Sequence, residues 1–341
     1  MAFPNKFVLS GFVVLLVAAA ALVIDRSQNQ SDVAQEPPRQ LPFSPTSTEL
    51  GLAGNLWLDT SDKELVERVY DTEFSKVVPP VEWTGDQDEC DAGSSSADLK
   101  AASIDRVNFY RAMAGVPATI SEGPSFSAKA QSGALMMSTE GELTHQPSSS
   151  FACYTIEGSD AAANSNLYLG RTGPSAIDGY IEDPGDDNTD VGHRNTVLHP
   201  PTRRMGVADV EAVGDYDESN LLWVFDEKVF DLDYRTREPE GFVAWPPAGF
   251  VPQDIVHPRW SFSLATGDFS QADITMTQSG ESVPLEIVSR EGKEGRVPNP
   301  ILVWEPQLDL DNDDVTFEIE VTDVRVDGDS QDFAYTTTVF A

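Results

Sequence analysis

The sequence predicts an α+β protein: a body of helices and paired strands, followed by an all-β, sandwich-like C-terminal module. Three observations carry this. Apolar residues recur near helical spacing between Ser96 and Gly141, with cap and stop residues at the ends. RRMGVADVEAV and NLLWVFDEKVF alternate like two strands of a hairpin around the acidic turn GDYDES. Beyond residue 240 the chain turns into short β-branched and aromatic runs separated by Gly, Asp and Asn. The length of 341 residues agrees with two domains, at about 150 residues each.

The elements follow in chain order. Phe7 to Ile24 reads FVLSGFVVLLVAAAALVI, with Lys6 before it and small residues at Ala18 to Ala21. This is the pattern of an export signal, or of an N-terminal anchor if it stays uncleaved, over residues 1–26. No cysteine follows the apolar run, which excludes a lipoprotein anchor. Residues 27–50 are polar and Pro-rich, a linker. A short helix is expected from Asp59 or Ser61 through LWLDTSDKELVERVYDTEF. The next starts at a Ser cap in SSADLKAASIDRVNFYRAMAG, carries Leu99, Ile104, Val107 and Tyr110, and stops at Gly115 and Pro117. Another places Phe126, Ala130, Ala134 and Met137 about one turn apart and ends at Gly141; a third, shorter one covers Pro174 to Tyr180. VAWPPAGFVPQDIVHP is a Pro-rich joint, after which RWSFSLA, ADITMTQSG, PLEIVSR, ILVWEP, VTFEIEVTDVRV and FAYTTTVFA read as strands of a module spanning 241–341.

Charge narrows the function. With 57 Asp+Glu against 22 Lys+Arg the net charge is −35, and no basic cluster interrupts it, so a nucleic-acid partner is excluded. Hydrophobic residues at 40% and a mean hydropathy of −0.28 allow real cores. The two cysteines, Cys90 and Cys153, lack CxxC spacing, and in an exported chain the economical reading is one bridge. Ser148–Ser150 lack the GxSxG context of a serine hydrolase. Asp309, Asp311 and Asp313 take positions one, three and five of a calcium-loop pattern, with Glu320 at twelve. Position six is Asp314 where glycine is needed, and a strand follows, so the segment reads as a solvated turn. Of the four histidines, His199 and His257 each precede a proline and are extended or turn residues. His145, in GELTHQP, and His193, in VGHRNTVLHPPTRRMGV, lie off any apolar stripe and are the candidates for chemistry.

VNFYRAMAGVP, MMSTEGELTHQ, the CYT segment, SNLYLG, AIDGYIED and GHRNTVLHPPTRRMGV followed by NLLWVFD resemble the CAP superfamily. These are the cysteine-rich secretory, antigen 5 and pathogenesis-related proteins, called SCP-like in bacteria. The resemblance covers roughly residues 97–230 and is specific at Asn108–Arg111, at His145 and at GHRN…MGV. It implies an α-β-α sandwich for a CAP-type domain over 51–240, with an N-terminal extension before the core. The RWSFSL…DFS stretch is similar to a tail on some larger bacterial members.

The resemblance further implies a central cavity with two histidines and two acids. His145 and His193 match the histidines and would be the ligands of zinc or another divalent cation, if one binds. Asn164-Ser165-Asn166-Leu167 stands where the family has a Gly-Glu-Asn motif, so Ser165 replaces one acid and Asn166 is kept. Glu182 or Asp183, just after Tyr180, is the candidate for the other. The acidic loop Glu182–Asp190 could gather cations over the cavity mouth. The implied function is a secreted, periplasmic or cell-surface protein binding a lipid, polysaccharide or peptide in a His-lined cleft, with membrane contact only through an uncleaved N-terminus. A metal-assisted hydrolase using the same cleft, and a structural or adhesion protein with an inert one, are the alternatives; the missing acid at Ser165 counts against the enzyme.

Overall fold

The computed structural model describes residues 56–341 except 230, 232, 233, 291–298 and 311–313. The export segment, the linker and Asp311 and Asp313 of the calcium-like loop lie outside the described residues.

The first helix, α1, is Lys63–Phe74, with Asp62 as its cap: the carboxylate accepts from Leu65 N at 3.0 Å. Helix α2, Ala97–Met113, starts one residue after Ser96, whose hydroxyl accepts from Leu99 N at 3.2 Å. Helix α3, Pro124–Glu140, carries Pro at its first position, where no amide donor is missed, and ends in the left-handed Gly141. Helices α4 (Ile156–Asn164), α5 (Gly173–Glu182) and the short α6 (Gly192–Val197) follow.

Among them runs a four-stranded sheet. Strands β1 (Ser121–Glu122), β2 (Ser165–Leu169), β3 (Arg204–Val210) and β4 (Ser219–Trp223) lie in the order β1-β3-β4-β2. The expected hairpin is β3 with β4, paired antiparallel from Gly206–Trp223 to Val210–Ser219. Alternate side chains then meet different layers. Met205, Val207 and Leu222 join one core with Val107 of α2 and Ile177 of α5. Ala208, Val210, Leu221 and Trp223 join another with Ala130 and Ala134 of α3 and Ala161 of α4. All five residues of β4 are buried, as a strand covered on both faces must be. This is the α-β-α sandwich.

The resemblance-bearing residues hold this sandwich together. A Cβ on Gly206 would come within 2.5 Å of the Phe126 backbone, so the glycine lets β3 touch the start of α3. Asn108 closes both backbone bonds of Ile120, donating to its carbonyl at 3.0 Å and accepting from its amide at 2.8 Å. The fully buried Arg111 guanidinium donates to the carbonyls of Pro117, Val197, His199, Pro200 and Thr202, at 2.8 to 3.4 Å. Burial pulls its pKa down to about 9. It fixes the turn after α6 through carbonyls alone, so a neutral replacement leaves several acceptors unsatisfied, costing about 3–5 kcal/mol.

The C-terminal module is two sheets face to face. One has the order β11-β12-β7-β5, with β5 at Val243–Trp245, β7 at Trp260–Ser263, β11 at Leu285–Ser289 and β12 at Ile301–Pro306. The other has β10-β9-β13-β14-β6, with β8 also beside β13; here β6 is Gly249–Pro252, β8 Gly267–Asp268, β9 Asp273–Gln278, β10 Glu281–Ser282, β13 Val315–Val326 and β14 Asp329–Phe340. Strand β13 alternates buried Phe317, Ile319 and Val321 with exposed Glu318 and Glu320. The buried faces of β13 and β14 meet the other sheet through aromatic rings: Trp260 edge-on to Phe317 at 5.6 Å, and Phe262 to Phe333 of β14 at 5.3 Å.

The composition change near Gly241 marks a change of architecture without a break in the core. Trp245, in the Pro-rich joint, is fully buried and meets Tyr110 of α2 at 5.4 Å. The N-terminal extension joins in: Phe250 N donates to Thr60 O at 2.7 Å, and Thr60 Oγ1 donates to Ala248 O at 2.6 Å. Cys90 and Cys153 are bridged, with Cα atoms 5.1 Å apart, tying the segment before α2 to the loop beyond His145.

Candidate functional site

His145 lies four residues past the left-handed Gly141 that stops α3. Its Nδ1 stands 2.7 Å from the Ala162 carbonyl of α4. A carbonyl only accepts, so Nδ1 carries a proton. His193 is the second residue of α6. It follows Val191, a β-branched residue held at φ +42, which costs of order 1–3 kcal/mol. Burial against Ile301 and Val303 of the C-terminal module holds Val191 there.

Asp183 caps α5 in a left-handed conformation and is wholly buried. Its Oδ1 sits 2.7 Å from His193 Nδ1, while Oδ2 accepts from His193 N at 2.9 Å and Arg194 N at 3.3 Å. The carboxylate therefore holds both the start of α6 and the imidazole, whose Nδ1 donates to it. Of the two candidate acids, Asp183 is the one beside the histidine. Glu182 faces away, its carboxylate 3.4 Å from Arg171.

Asn166 braces the same turn: Nδ2 donates to His193 O at 3.1 Å, and Oδ1 accepts from Thr196 Oγ1 at 2.9 Å. Tyr180 contributes its ring, 5.6 Å from the His193 imidazole, while its hydroxyl donates toward Asn220 Oδ1 at 2.8 Å rather than to either acid. Ser165 opens β2; it is buried, and its Oγ has no hydrogen-bond partner among the described residues.

These side chains surround a cleft with two lobes, each of about 420 Å³, that share His145, Asp187, Asn188 and His193. Ser165, Asn166, Asp190 and Thr196 back one lobe. Leu143, Leu167, Tyr168, Leu169, Tyr180 and Pro184 line the other, with Asp183. The structure thus brings His145, His193, Ser165, Asn166 and Asp183 together and leaves Glu182 outside. His199 is buried and His257 half-buried, and neither lines the cleft. His199 Nε2 donates to Val229 O at 2.7 Å, and burial pushes the two rings down to about 4 and about 3 respectively.

Two supports were not assigned a role from the sequence, although Arg194 lies in the GHRN motif. Arg194, fully buried, donates from Nε to Ile181 O at 2.7 Å, from Nη2 to Glu182 O at 3.2 Å and from Nη1 to Arg259 O at 2.8 Å; burial lowers its pKa to about 10. Arg259, from the C-terminal module, donates from Nη1 to the carbonyls of Asp183, Gly185 and Asn188, at 3.3, 2.7 and 3.0 Å. The acidic loop that lines the cleft is therefore clamped from the module. Only contacts across more than 70 residues reveal it.

Among the described residues no three His, Cys, Asp or Glu side chains stand where they could hold one metal ion. Two imidazoles are one short of the three protein ligands of a catalytic zinc centre. The described residues of the cleft do not by themselves assemble a zinc centre.

Residues 104–226 match the model of the CAP family, described as the cysteine-rich secretory protein family. No curated protein matches the chain. Among solved structures, the chain is similar to selenomethionine PcoC, a copper resistance protein from Escherichia coli, at 20% identity and a TM-score of 0.22, over 30% of this chain and 98% of that one. The family match falls on the helices and strands that form the layered sheet and on both cleft histidines, so the chain carries a CAP-family domain over those residues, with a β-rich C-terminal region after it.

Proposed function

We propose that this chain is an extracytoplasmic binding protein whose CAP domain offers a histidine-lined cleft to a ligand. The observation that carries the reading is the pair His145 and His193. They arrive from separate elements, each is fixed with its proton on Nδ1, and both line one cleft. Rings held this way are oriented before any ligand arrives, which is how a binding site avoids an ordering cost. The Cys90–Cys153 bridge supports an oxidising compartment, in keeping with the export-type N-terminus. The hydrolase alternative is the weaker reading, because Ser165 stands in place of one acid and no three His, Cys, Asp or Glu side chains among the described residues could hold one metal ion.

A thermal-shift survey of lipids, glycans and peptides against the wild type, His145→Ala and His193→Ala tests the proposal. A ligand at about 100 times its Kd adds about 2.7 kcal/mol of stability. Compounds that stabilise the wild type are expected to lose that effect in both variants. Stabilisation that ignores both substitutions would overturn the reading.

A further inference from the structure

We propose that the cleft takes an extended, basic peptide segment by antiparallel strand addition to β2. The inference rests on the binding reading above and adds the class of ligand and the way it is held.

The first observation is an open sheet edge inside the cleft. Strand β2 comes last in the order β1-β3-β4-β2, so β4 pairs only one of its sides. Val224 N donates to Asn164 O and Gly170 N to Glu218 O, so the even-numbered residues turn their backbone groups to β4. The N–H and C=O of Leu167 and Leu169 therefore point the other way. Among the described residues, no backbone group outside the sheet bonds to them. Leu167, Tyr168 and Leu169 all line the second lobe of the cleft.

The second observation is that this edge lacks the protection the others carry. Edge strands are blunted by shortness, charge, proline or a bulge. Strands β1, β8 and β10 have two residues each and β5 has three; β6 ends on Pro252, and β11 carries Glu286 and a bulge between Ile287 and Ser289. The five residues of β2, SNLYL, hold no charge and no proline and pair with β4 in unbroken register.

The third is what stands on either side of the edge. A residue opposite Leu167 or Leu169 sends its side chain to their face, the α3–α4 layer, where the exposed Leu143 borders the lobe. A residue opposite Tyr168 faces the α5 layer, where Tyr180 lies 5.8 Å from Tyr168, ring to ring. Apolar residues at alternate positions therefore fix the register. Charge sets the rest. No Lys or Arg lines the lobe, Arg171 nearby is paired to Glu182, and the chain as a whole carries −35. A field of that sign draws in a basic segment and repels a second copy of this chain.

The probe is acetyl-Lys-Val-Thr-Val-Lys-amide, titrated into the whole chain at about physiological salt. The amides of Leu167 and Leu169 are expected to gain protection from hydrogen exchange, while those of Asn166 and Tyr168, already bonded to β4, change little. N-methylation of both valines, whose N–H groups face β2, should weaken binding at least about tenfold. N-methylation of the threonine, whose N–H faces away, should change it by less than about threefold. Glutamate in place of both lysines should weaken binding at least about tenfold, by a margin that narrows as salt is raised. Equal effects of the two methylation patterns would overturn strand addition, and an acidic peptide binding as tightly would overturn the basic partner; either result leaves the binding cleft standing. If the probe does not bind, strand addition falls, and the binding reading falls with it only if the lipids and glycans of the thermal-shift survey also fail.

Discussion

Arg259→Ala should loosen the cleft from outside it. The guanidinium is mostly buried, with its Nη1 group among three carbonyls of the 183–188 loop and its Nε 2.9 Å from Glu305. A hydrogen bond from a charged donor contributes about 1.5–3 kcal/mol, but one NH₂ group cannot serve three acceptors at full strength. The Glu305 pair is half-exposed and contributes at most about 1 kcal/mol. Together these give an expected loss of about 2–4 kcal/mol in urea denaturation. Arg259→Lys should recover only part of it, because an ammonium lacks the planar fork. The local signature is hydrogen exchange. Asn188 N donates to Gly185 O, and Val191 N to Asn188 O, and both amides should lose protection before the distant β13–β14 ladder does. A variant within about 0.5 kcal/mol of wild type, with protection at those amides unchanged, would refute the clamp.

Three further outcomes are expected. Replacing Cys90 and Cys153 by serine opens a 63-residue separation and should cost up to about 4 kcal/mol in chain-entropy terms, read by urea titration with and without reductant. His199 is held neutral by burial, its pKa lowered to about 4. The unfolded chain binds its proton first, so this ring's contribution to stability is intact above about pH 6.5 and falls as pH drops toward 4, by up to about 1.4 kcal/mol per pH unit. The buried Asp209 carboxyl, raised by burial, works in the opposite sense, so the His199 part is read as the difference from His199→Gln, whose amide can still donate to Val229 O. Asp183→Asn replaces an acceptor that three donors require and should cost about 2–3 kcal/mol while changing the His193 ring-nitrogen NMR signals; Glu182→Gln should leave those signals unchanged.

Local chemistry made much of the fold legible. Ser96, Gly141 and the GDYDES turn bound their elements as their cap and turn chemistry requires, and the alternating runs after Trp260 became the strands of the sandwich. Helix α4 was less visible, because IEGSDAAAN is too short and too poor in apolar contrast to show a period. At the site, residue type pointed to His145 and His193 but could not choose between Glu182 and Asp183. Adjacent residues at a helix end point about 100° apart, and the choice was made by the left-handed turn at Asp183. The supports Arg194 and Arg259 hold the cleft loop through backbone carbonyls, which every residue has, so nothing in the loop's side chains marks them.

The central claim is that His145 and His193 share one cleft, and the chain supplies its own controls, since its other two histidines, the buried His199 and the half-buried His257, do not line it. Sub-stoichiometric copper(II), used only as a paramagnetic probe, broadens the proton signals of rings near the place where it lodges. The Cε1–H resonances of His145 and His193 should broaden together at the same copper concentration while His199 and His257 stay sharp. Broadening of one cleft histidine without the other would contradict the shared site.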